Sequence, residues 1–352
     1  MFRITLLVMV AFAAMTTASA EEIQKPKAIV FYEYGTPDVL KFEDVEKPIL
    51  ADDQVLIKVR AAAVNPLDWH RVRGRPYLMR IDGGISQPKE PLLGTDVAGV
   101  VEAVGKMVTR FKPGDEVFGV GLGAFGTYAK AAERRLTLKP KDITFEDAAA
   151  MPVAAVTALQ ALRDKGKIQP GQKVLINGAS GGVGTYAVQI AKALGANVTG
   201  VCSTRNVELV RALGADRVID YTQTDFAKDP ERYDVVIDNV GNRAFSDIRS
   251  VLKHDGNHVL VGGGGVDDNP IIGPLGAIAW AYVMSPFVSQ KFEFMLAEVT
   301  GDELNVLTKM MEEKKLRSVI DRAYTLPETP AALAYVEQGR ARGKVVITVT
   351  QD

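Results

Sequence analysis

The segment Ala179-Ser180-Gly181-Gly182-Val183-Gly184 has the residue types to hold an anion. Glycine lets the backbone turn sharply and approach a ligand that a Cβ would block. The spacing then predicts a helix over Val183–Leu194, with Ala187, Ile190, Ala191 and Leu194 on one face and Gly195 as its stop. The N–H groups at its start and its dipole converge on the turn. A β-branched run, Lys173–Asn177, precedes the turn, and a second strand, Asn197–Cys202, returns after the helix. In that order a glycine turn binds the pyrophosphate of a dinucleotide. The match to G-x-G-x-x-G is imperfect, because Ala179 holds the first glycine position. A plain strand-to-helix turn with structural glycines is the alternative reading.

The end of the second strand carries the choice of cofactor. An acid there would hold the ribose hydroxyls of NADH. This chain has Ser203, Thr204 and Arg205, and the next acid, Glu208, falls inside the following helix. Hydroxyls and a guanidinium suit a 2′-phosphate, which an acid would repel, so NADPH is expected rather than NADH. Ser203 and Thr204 also suit the capping of a helix beginning near Asn206, and the two roles are compatible.

The elements that position these residues follow from the rest of the chain. Beyond Arg205, apolar strands alternate with helices: Val207–Leu213, Arg217–Ile219, Asp234–Asp238, Ala244–Leu252 and Asn257–Val261. Repeated units of this size imply a parallel sheet covered on both faces, with ligands at the carboxyl ends of its strands. Asn239–Gly241 and Gly262–Gly265 therefore join the glycine turn on one rim. The N-terminal half is β-rich, with strands expected within Lys25–Tyr34, Gln54–Val64 and Asp96–Val104 and a turn into a strand at Phe111–Gly119. Ile143–Leu162 reads as a bridging helix capped by Thr144. Further helices are expected at Glu303–Lys315 and Pro330–Gln338, and a last strand at Val345–Thr350. The apolar segment Pro270–Pro286 reads as a buried helix and loop, with a pocket wall, a dimer contact or a membrane-surface patch as alternatives.

With 352 residues the chain can build two domains, and its 24% charged residues are ordinary for a globular protein. A net charge of −1 and the lack of a basic run exclude nucleic acid as an expected partner. The first twenty residues have Arg3, an apolar stretch from Ile4 to Met15 and Ala18-Ser19-Ala20, the pattern of a signal peptide over residues 1–20. Export, periplasmic or secreted, is the expectation. A start assigned too early, leaving a cytoplasmic protein, and an uncleaved interfacial anchor are the alternatives. Export would make a nicotinamide enzyme find its cofactor outside the cytoplasm. Cys202 is the single cysteine and reads as a small core residue.

Several segments in order, Asn65-Pro-Leu-Asp68, Gly94-Thr-Asp-Val-Ala-Gly99, Phe111–Gly119, Ala148-Ala-Ala-Met-Pro152 with Thr157-Ala-Leu, the glycine turn and Gly343-Lys344-Val-Val, resemble those of the medium-chain dehydrogenase/reductases. Within them the chain is similar to the zinc-free quinone oxidoreductase branch. The resemblance implies an α/β fold: a GroES-like, mostly β catalytic domain over 21–150, to which 300–352 returns, and a doubly wound Rossmann domain over 151–299. It also implies a homodimer and an active site between the domains. Zinc members place a Cys where Asn65 falls and His-Glu where Thr95-Asp96 falls, and they add a four-cysteine lobe. With one cysteine and only His70, His254 and His258, no zinc is expected.

The resemblance implies an NADPH-dependent, zinc-independent reductase of quinones, α,β-unsaturated carbonyls or related small carbonyl compounds. An NAD(P)-dependent alcohol dehydrogenase and a non-catalytic NADPH-binding sensor or membrane-surface partner are the alternatives. The amide of Asn65 would donate to the substrate oxygen as charge develops, or Asn65-Pro66 would form an ordinary turn. Asp68 would orient Asn65 or cap a following helix, and His70 would donate a proton or be simply solvated. By the same resemblance Thr157 would begin the bridging helix and face the nicotinamide or cap. Tyr221 would lie near the adenosine phosphate or in the core, and Lys344 would close the cofactor cleft or sit at the surface.

Overall fold

The computed structural model of the chain describes residues 25–262 and 287–350, together with residues 270, 271, 273, 276, 279 and 283. The expected signal peptide, Gly263–Gly265 and most of the apolar segment 270–286 lie outside the described residues.

The apolar runs after residue 172 form a parallel sheet. Its order is Arg217–Asp220, Asn197–Cys202, Lys173–Asn177, Tyr233–Asp238, Leu252–Leu260 and Lys291–Phe294. All neighbours are parallel. The order reverses between Lys173–Asn177 and Tyr233–Asp238, where Asn177 pairs with Asp238. A crevice for ligands opens at the carboxyl ends of strands beside such a reversal. Lys173–Asn177 is buried from Val174 onward, as a strand covered on both faces must be. The rim expected from sequence forms there: the Asn239 N–H donates to the Asn177 carbonyl at 3.2 Å, and the Gly262 N–H to the Asp238 carbonyl at 3.1 Å.

The β-rich half builds a second sheet, in the order Ile320–Thr325, Lys344–Thr348, Gln54–Val64, Asp96–Val104, Glu116–Val120 and Leu136–Leu138, with Tyr128–Ala132 also paired to Gln54–Val64. Lys344–Thr348 runs antiparallel to Gln54–Val64, with Val345 opposite Val64. The end of the chain is thereby stitched to its beginning, and Lys344 arrives beside Asn65. Each sheet has its own apolar core. One gathers Ile176, Tyr186 and Ile237, the other Ile57, Leu93 and Phe125.

Three local expectations are corrected. The bridge is not one helix but Phe145–Ala149 followed by Pro152–Gln160, with a wider turn over Ala161–Lys165. Pro152 lacks an N–H and its ring crowds the preceding turn, so it starts a helix and does not continue one. Thr144 does cap the first piece, accepting from the Asp147 N–H at 3.0 Å. Thr157 consequently lies in the second turn of the later helix rather than at its start. Asp68 does not cap a helix that follows it: the helix is Pro66–Arg73, Asn65 is its N-cap, and Asp68 is its third residue. Among the described residues no helix is long and apolar enough to cross a membrane.

Candidate active site

The glycine turn leads into the helix Gly182–Ala193, whose N-cap is Gly181 and whose first turn receives no side-chain cap. N–H groups of a first turn have no intrahelical acceptor, so they remain for an anion. The glycines differ in what they do. A Cβ on Gly184 would lie 2.1 Å from the Gly178 carbonyl oxygen, so tight packing of the turn requires that glycine. A Cβ on Gly181 would meet nothing closer than 3.5 Å, so its place is open to a ligand. Ala179, in the first glycine position, is buried, and Gly200 on the neighbouring strand makes room for it: a Cβ there would come within 3.0 Å of the Ala179 Cβ. Val183 follows in the first turn.

Ser180 and Ser203 are drawn together by a residue that sequence reading missed. The Asn206 amide nitrogen donates to Ser180 Oγ at 2.9 Å and to Ser203 Oγ at 3.3 Å, leaving both hydroxyl hydrogens for another acceptor. Arg205 is exposed and donates to the Arg340 carbonyl. Tyr221 is 56% exposed, which rules out the core-aromatic reading and places it on the same rim. An acid was missed as well. Asp220 ends the adjacent strand and accepts from Thr204 Oγ1 at 2.6 Å and Thr222 Oγ1 at 2.8 Å, and Thr204 leads the donors that hold its carboxyl below the usual range. Asn239 donates to the Asn177 carbonyl at 2.9 Å. The Oδ1 atoms of Asn206 and Asn239 are buried and receive no donor. An uncapped helix start beside two orphaned acceptors fits a dinucleotide, which brings both phosphate oxygens and ribose hydroxyls. Gly262 is required by close packing, since a Cβ there would lie 1.9 Å from the Asn239 carbonyl oxygen.

Across the turn lies a buried polar cluster. Lys344, 3% exposed, is not the surface lysine of the alternative reading. Its ammonium donates to Asn65 Oδ1 at 2.6 Å, the Val64 carbonyl at 3.1 Å and Asp96 Oδ2 at 3.3 Å. The Asn65 amide nitrogen donates to Asp96 Oδ2 at 3.0 Å and makes a long 3.5 Å contact with the Ala63 carbonyl. Chemistry fixes the orientation of this amide, because a flip would point its oxygen at a carboxylate and its N–H at an ammonium. Asp96 Oδ1 accepts from the Val153 N–H at 3.0 Å. Burial pushes the Asp96 carboxyl up, against the opposing pull of Lys344. Asp68, fully buried, accepts from the Asn65 backbone N–H at 2.8 Å, and burial raises it to about 7. Asp96 was legible in sequence only as part of the Gly94-Thr-Asp segment, since its partners come from residues far along the chain.

The other expected groups are placed as follows. His70 lies on the same helix as Asp68 but outside the cluster, its Nδ1 3.2 Å from the Arg75 carbonyl and its ring stacked on Trp69 at 3.6 Å. Thr157 donates to the Val153 carbonyl at 2.6 Å, one turn back. Cys202 is buried, and burial pushes its thiol up to about 11, so it is no nucleophile near neutrality. The cluster and the turn are in contact. The Gly343 N–H donates to the Ser180 carbonyl at 2.9 Å, and a Cβ on Gly182 would lie 3.3 Å from Lys344 Cδ.

The residues at the resemblance's zinc position do not fit a metal ion. Asn65 and Asp96 already share the ammonium of Lys344, and an amide with one carboxylate is a poor zinc donor set. Among the described residues no group of three or more His, Cys, Asp or Glu side chains could hold a metal.

Comparison with known proteins agrees with this architecture. The family model described as alcohol dehydrogenase GroES-like domain matches residues 51–141, and that described as zinc-binding dehydrogenase matches 213–347. The chain is 36% identical to 2-methylene-furan-3-one reductase of Solanum lycopersicum, covering 96% of this chain and 82% of that protein. It is 34% identical to the NADPH-dependent alkenal/one oxidoreductase, chloroplastic, of Arabidopsis thaliana, over 95% and 82%. It is also 34% identical to the mouse NAD(P)H oxidoreductase RTN4IP1, mitochondrial, over 96% and 92%. The solved quinone oxidoreductase of Coxiella burnetii superposes with a TM-score of 0.81 at 33% identity, over 93% of this chain and all of that one.

These relatives overturn the expectation of export. The Arabidopsis relative is named as chloroplastic and the mouse relative as mitochondrial, and nothing in the comparisons supports a secreted signal peptide. The physical reason for the error is compositional: an acid-free start with a basic residue and small hydroxylated residues is common to several classes of targeting segment. Two family models and relatives aligned along nearly the whole chain place it in the medium-chain dehydrogenase/reductase superfamily, in the quinone oxidoreductase-like branch, as an NAD(P)H-dependent oxidoreductase.

Proposed function

We propose that this chain reduces a small quinone or α,β-unsaturated carbonyl compound with NADPH and without zinc. The observation that carries the reading is the contact between the uncapped glycine turn and the Lys344–Asn65–Asp96 cluster, which puts the cofactor's anchor beside a set of oriented donors. The names of the Arabidopsis and tomato relatives support the substrate class, and the former supports NADPH.

When bound, the cofactor supplies the hydride. The remaining work falls to the chain. N–H groups of Gly182, Val183 and Gly184 hold the pyrophosphate. Ser180, Ser203 and Arg205 hold the 2′-phosphate, Tyr221 flanks it, Asn239 accepts from ribose, and Thr157 lines the nicotinamide side. Asn65 has its amide oxygen polarised by Lys344 and one N–H in only a long contact with Ala63. That N–H turns to the substrate oxygen as negative charge grows there. Asp68 holds Asn65 through its backbone, and His70 delivers the proton that completes the two-electron reduction. The catalytic part is 21–150 with 300–352, the cofactor part is 151–299, and the protein works as a homodimer.

The test is oxidation of NADPH and NADH by the purified full chain with a simple quinone and a simple enone. Turnover that prefers NADPH is expected. Asn65→Ala should lower kcat about 100-fold, the usual loss for one oxyanion donor, with NADPH affinity unchanged. Tight NADPH binding with no turnover on either acceptor overturns the reading.

A further inference from the structure

We infer that Lys344 is the built-in cation of this site, a positioning residue whose ammonium, in place of a metal ion, locks Asn65 and Asp96 against the cofactor turn. The inference rests on the proposed function for its kinetic test and on geometry alone for its binding test.

The ammonium has three N–H groups and three acceptors, Val64 O, Asn65 Oδ1 and Asp96 Oδ2, at 3.1, 2.6 and 3.3 Å. A neutral amine has only two hydrogens, so it would leave one of these buried oxygens without a donor. Three oxygens around one positive centre are what a small cation site offers, and here the chain supplies the cation itself.

The ammonium links four pieces of structure. Lys344 opens the last strand, Asn65 caps the Pro66–Arg73 helix, and Asp96 opens the strand Asp96–Val104. Through its other oxygen Asp96 holds the Val153 N–H in the first turn of Pro152–Gln160, where a negative charge is favoured. The lysine stem runs under Gly182, and the preceding Gly343 N–H holds Ser180. One dipeptide therefore touches the anchor of the cofactor and the donor proposed for the substrate. Stability alone does not call for this arrangement, since a buried ion pair adds little over well-packed apolar residues. Its chemical effect is to withdraw electron density from the Asn65 amide through Oδ1, which strengthens the N–H as a donor.

Lys344→Ala in the full chain removes the stem beyond Cβ together with the ammonium, leaving room for n-propylammonium. The variant should lose about 100-fold in kcat, comparable with the loss of the Asn65 donor, while the Kd for NADPH changes by less than about threefold. n-Propylammonium should restore at least a tenth of the wild-type kcat and raise the Tm of the variant but not of the wild type. 1-Propanol should do neither. Lys344→Met, close in shape but neutral, should fold, show the same loss of kcat and gain nothing from the amine; it carries the kinetic test if the alanine variant does not fold.

Wild-type kcat in either variant overturns the inference. Equal rescue by 1-propanol shows that packing and not charge matters, and also overturns it. Recovery with Zn²⁺ but not with the amine would make the pocket a metal site and overturn it too. If the wild-type chain turns over no acceptor, the proposed function fails separately, and the Tm response of the alanine variant to the amine still decides the cation.

Discussion

At Asp96 and Lys344, a carboxylate and an ammonium 3.3 Å apart are almost wholly buried, and every donor of the ammonium has an acceptor. At Arg205 and Tyr221, some way around the same turn, the side chains lie open to solvent. Ser180 and Ser203 there have hydroxyl hydrogens still to place. Two acceptors, Asn206 Oδ1 and Asn239 Oδ1, lack donors. The ion pair itself is complete, as low-dielectric surroundings require of charged groups, although Asp68 Oδ1 beside it receives no donor and one Asn65 N–H has only its long contact with Ala63. The rim around the glycine turn is incomplete, as a surface open to a polar ligand should be. Completion marks groups that hold the chain in place, and incompletion marks groups that wait for something to bind.

The contrast can be broken most sharply at Asp96. Asp96→Leu leaves the ammonium of Lys344 buried without its counter-charge, and a loss of about 3–5 kcal/mol in urea unfolding is expected. A loss below about 1 kcal/mol would mean that the cluster is wetter or less tightly coupled than its distances indicate. On the rim the effect should be smaller and ligand-specific. Arg205→Ala should weaken NADPH binding about tenfold, the equivalent of one charge-assisted hydrogen bond, and leave NADH binding and Tm unchanged. Equal weakening of both cofactors in a fluorescence titration would move Arg205 away from the 2′-phosphate.

A third test, of the buried side, is a change of slope. Burial raises the Asp68 carboxyl from its usual 3.8 to about 7. Below pH 3.8 the group is protonated in both folded and unfolded chains. Between 3.8 and 7 the unfolded chain ionises while the folded chain keeps its proton, so this group's contribution to stability declines as pH rises. Asp68→Asn should flatten that part of the decline in a stability-against-pH series. An unchanged slope would show that Asp68 ionises normally.

Much of the cofactor half was readable because its signals are local. Lys173–Asn177 and Asn197–Cys202 carry β-branched apolar runs, and their observed bounds match those expected. The glycine turn lies between them, so its strand, turn, helix and returning strand are contiguous in the chain. The bridging helix was misread because apolar periodicity ran through Pro152, which a backbone argument should have overruled. Thr157 was misplaced with it. Asn206 was passed over because an asparagine at a helix start looks like an ordinary cap, and its link to Ser180 spans a full strand and helix. Asp220 gives no local signal, because an acid that holds ribose is expected at the end of the second strand and Asp220 lies at the end of the third.

By itself the sequence determined the alternation of strand and helix, the glycine turn between them and the small number of cysteines and histidines, since each depends on residue type and on spacing within one or two elements. Tertiary structure alone decided that Lys344 faces Asn65 and Asp96. Their separations of 279 and 248 residues leave no periodic trace. The contact exists because the last strand pairs with Gln54–Val64 in a register that sets Val345 opposite Val64. A shift of one residue would turn Lys344 to the other face of the sheet, so long-range strand pairing, more than local propensity, assembled the site.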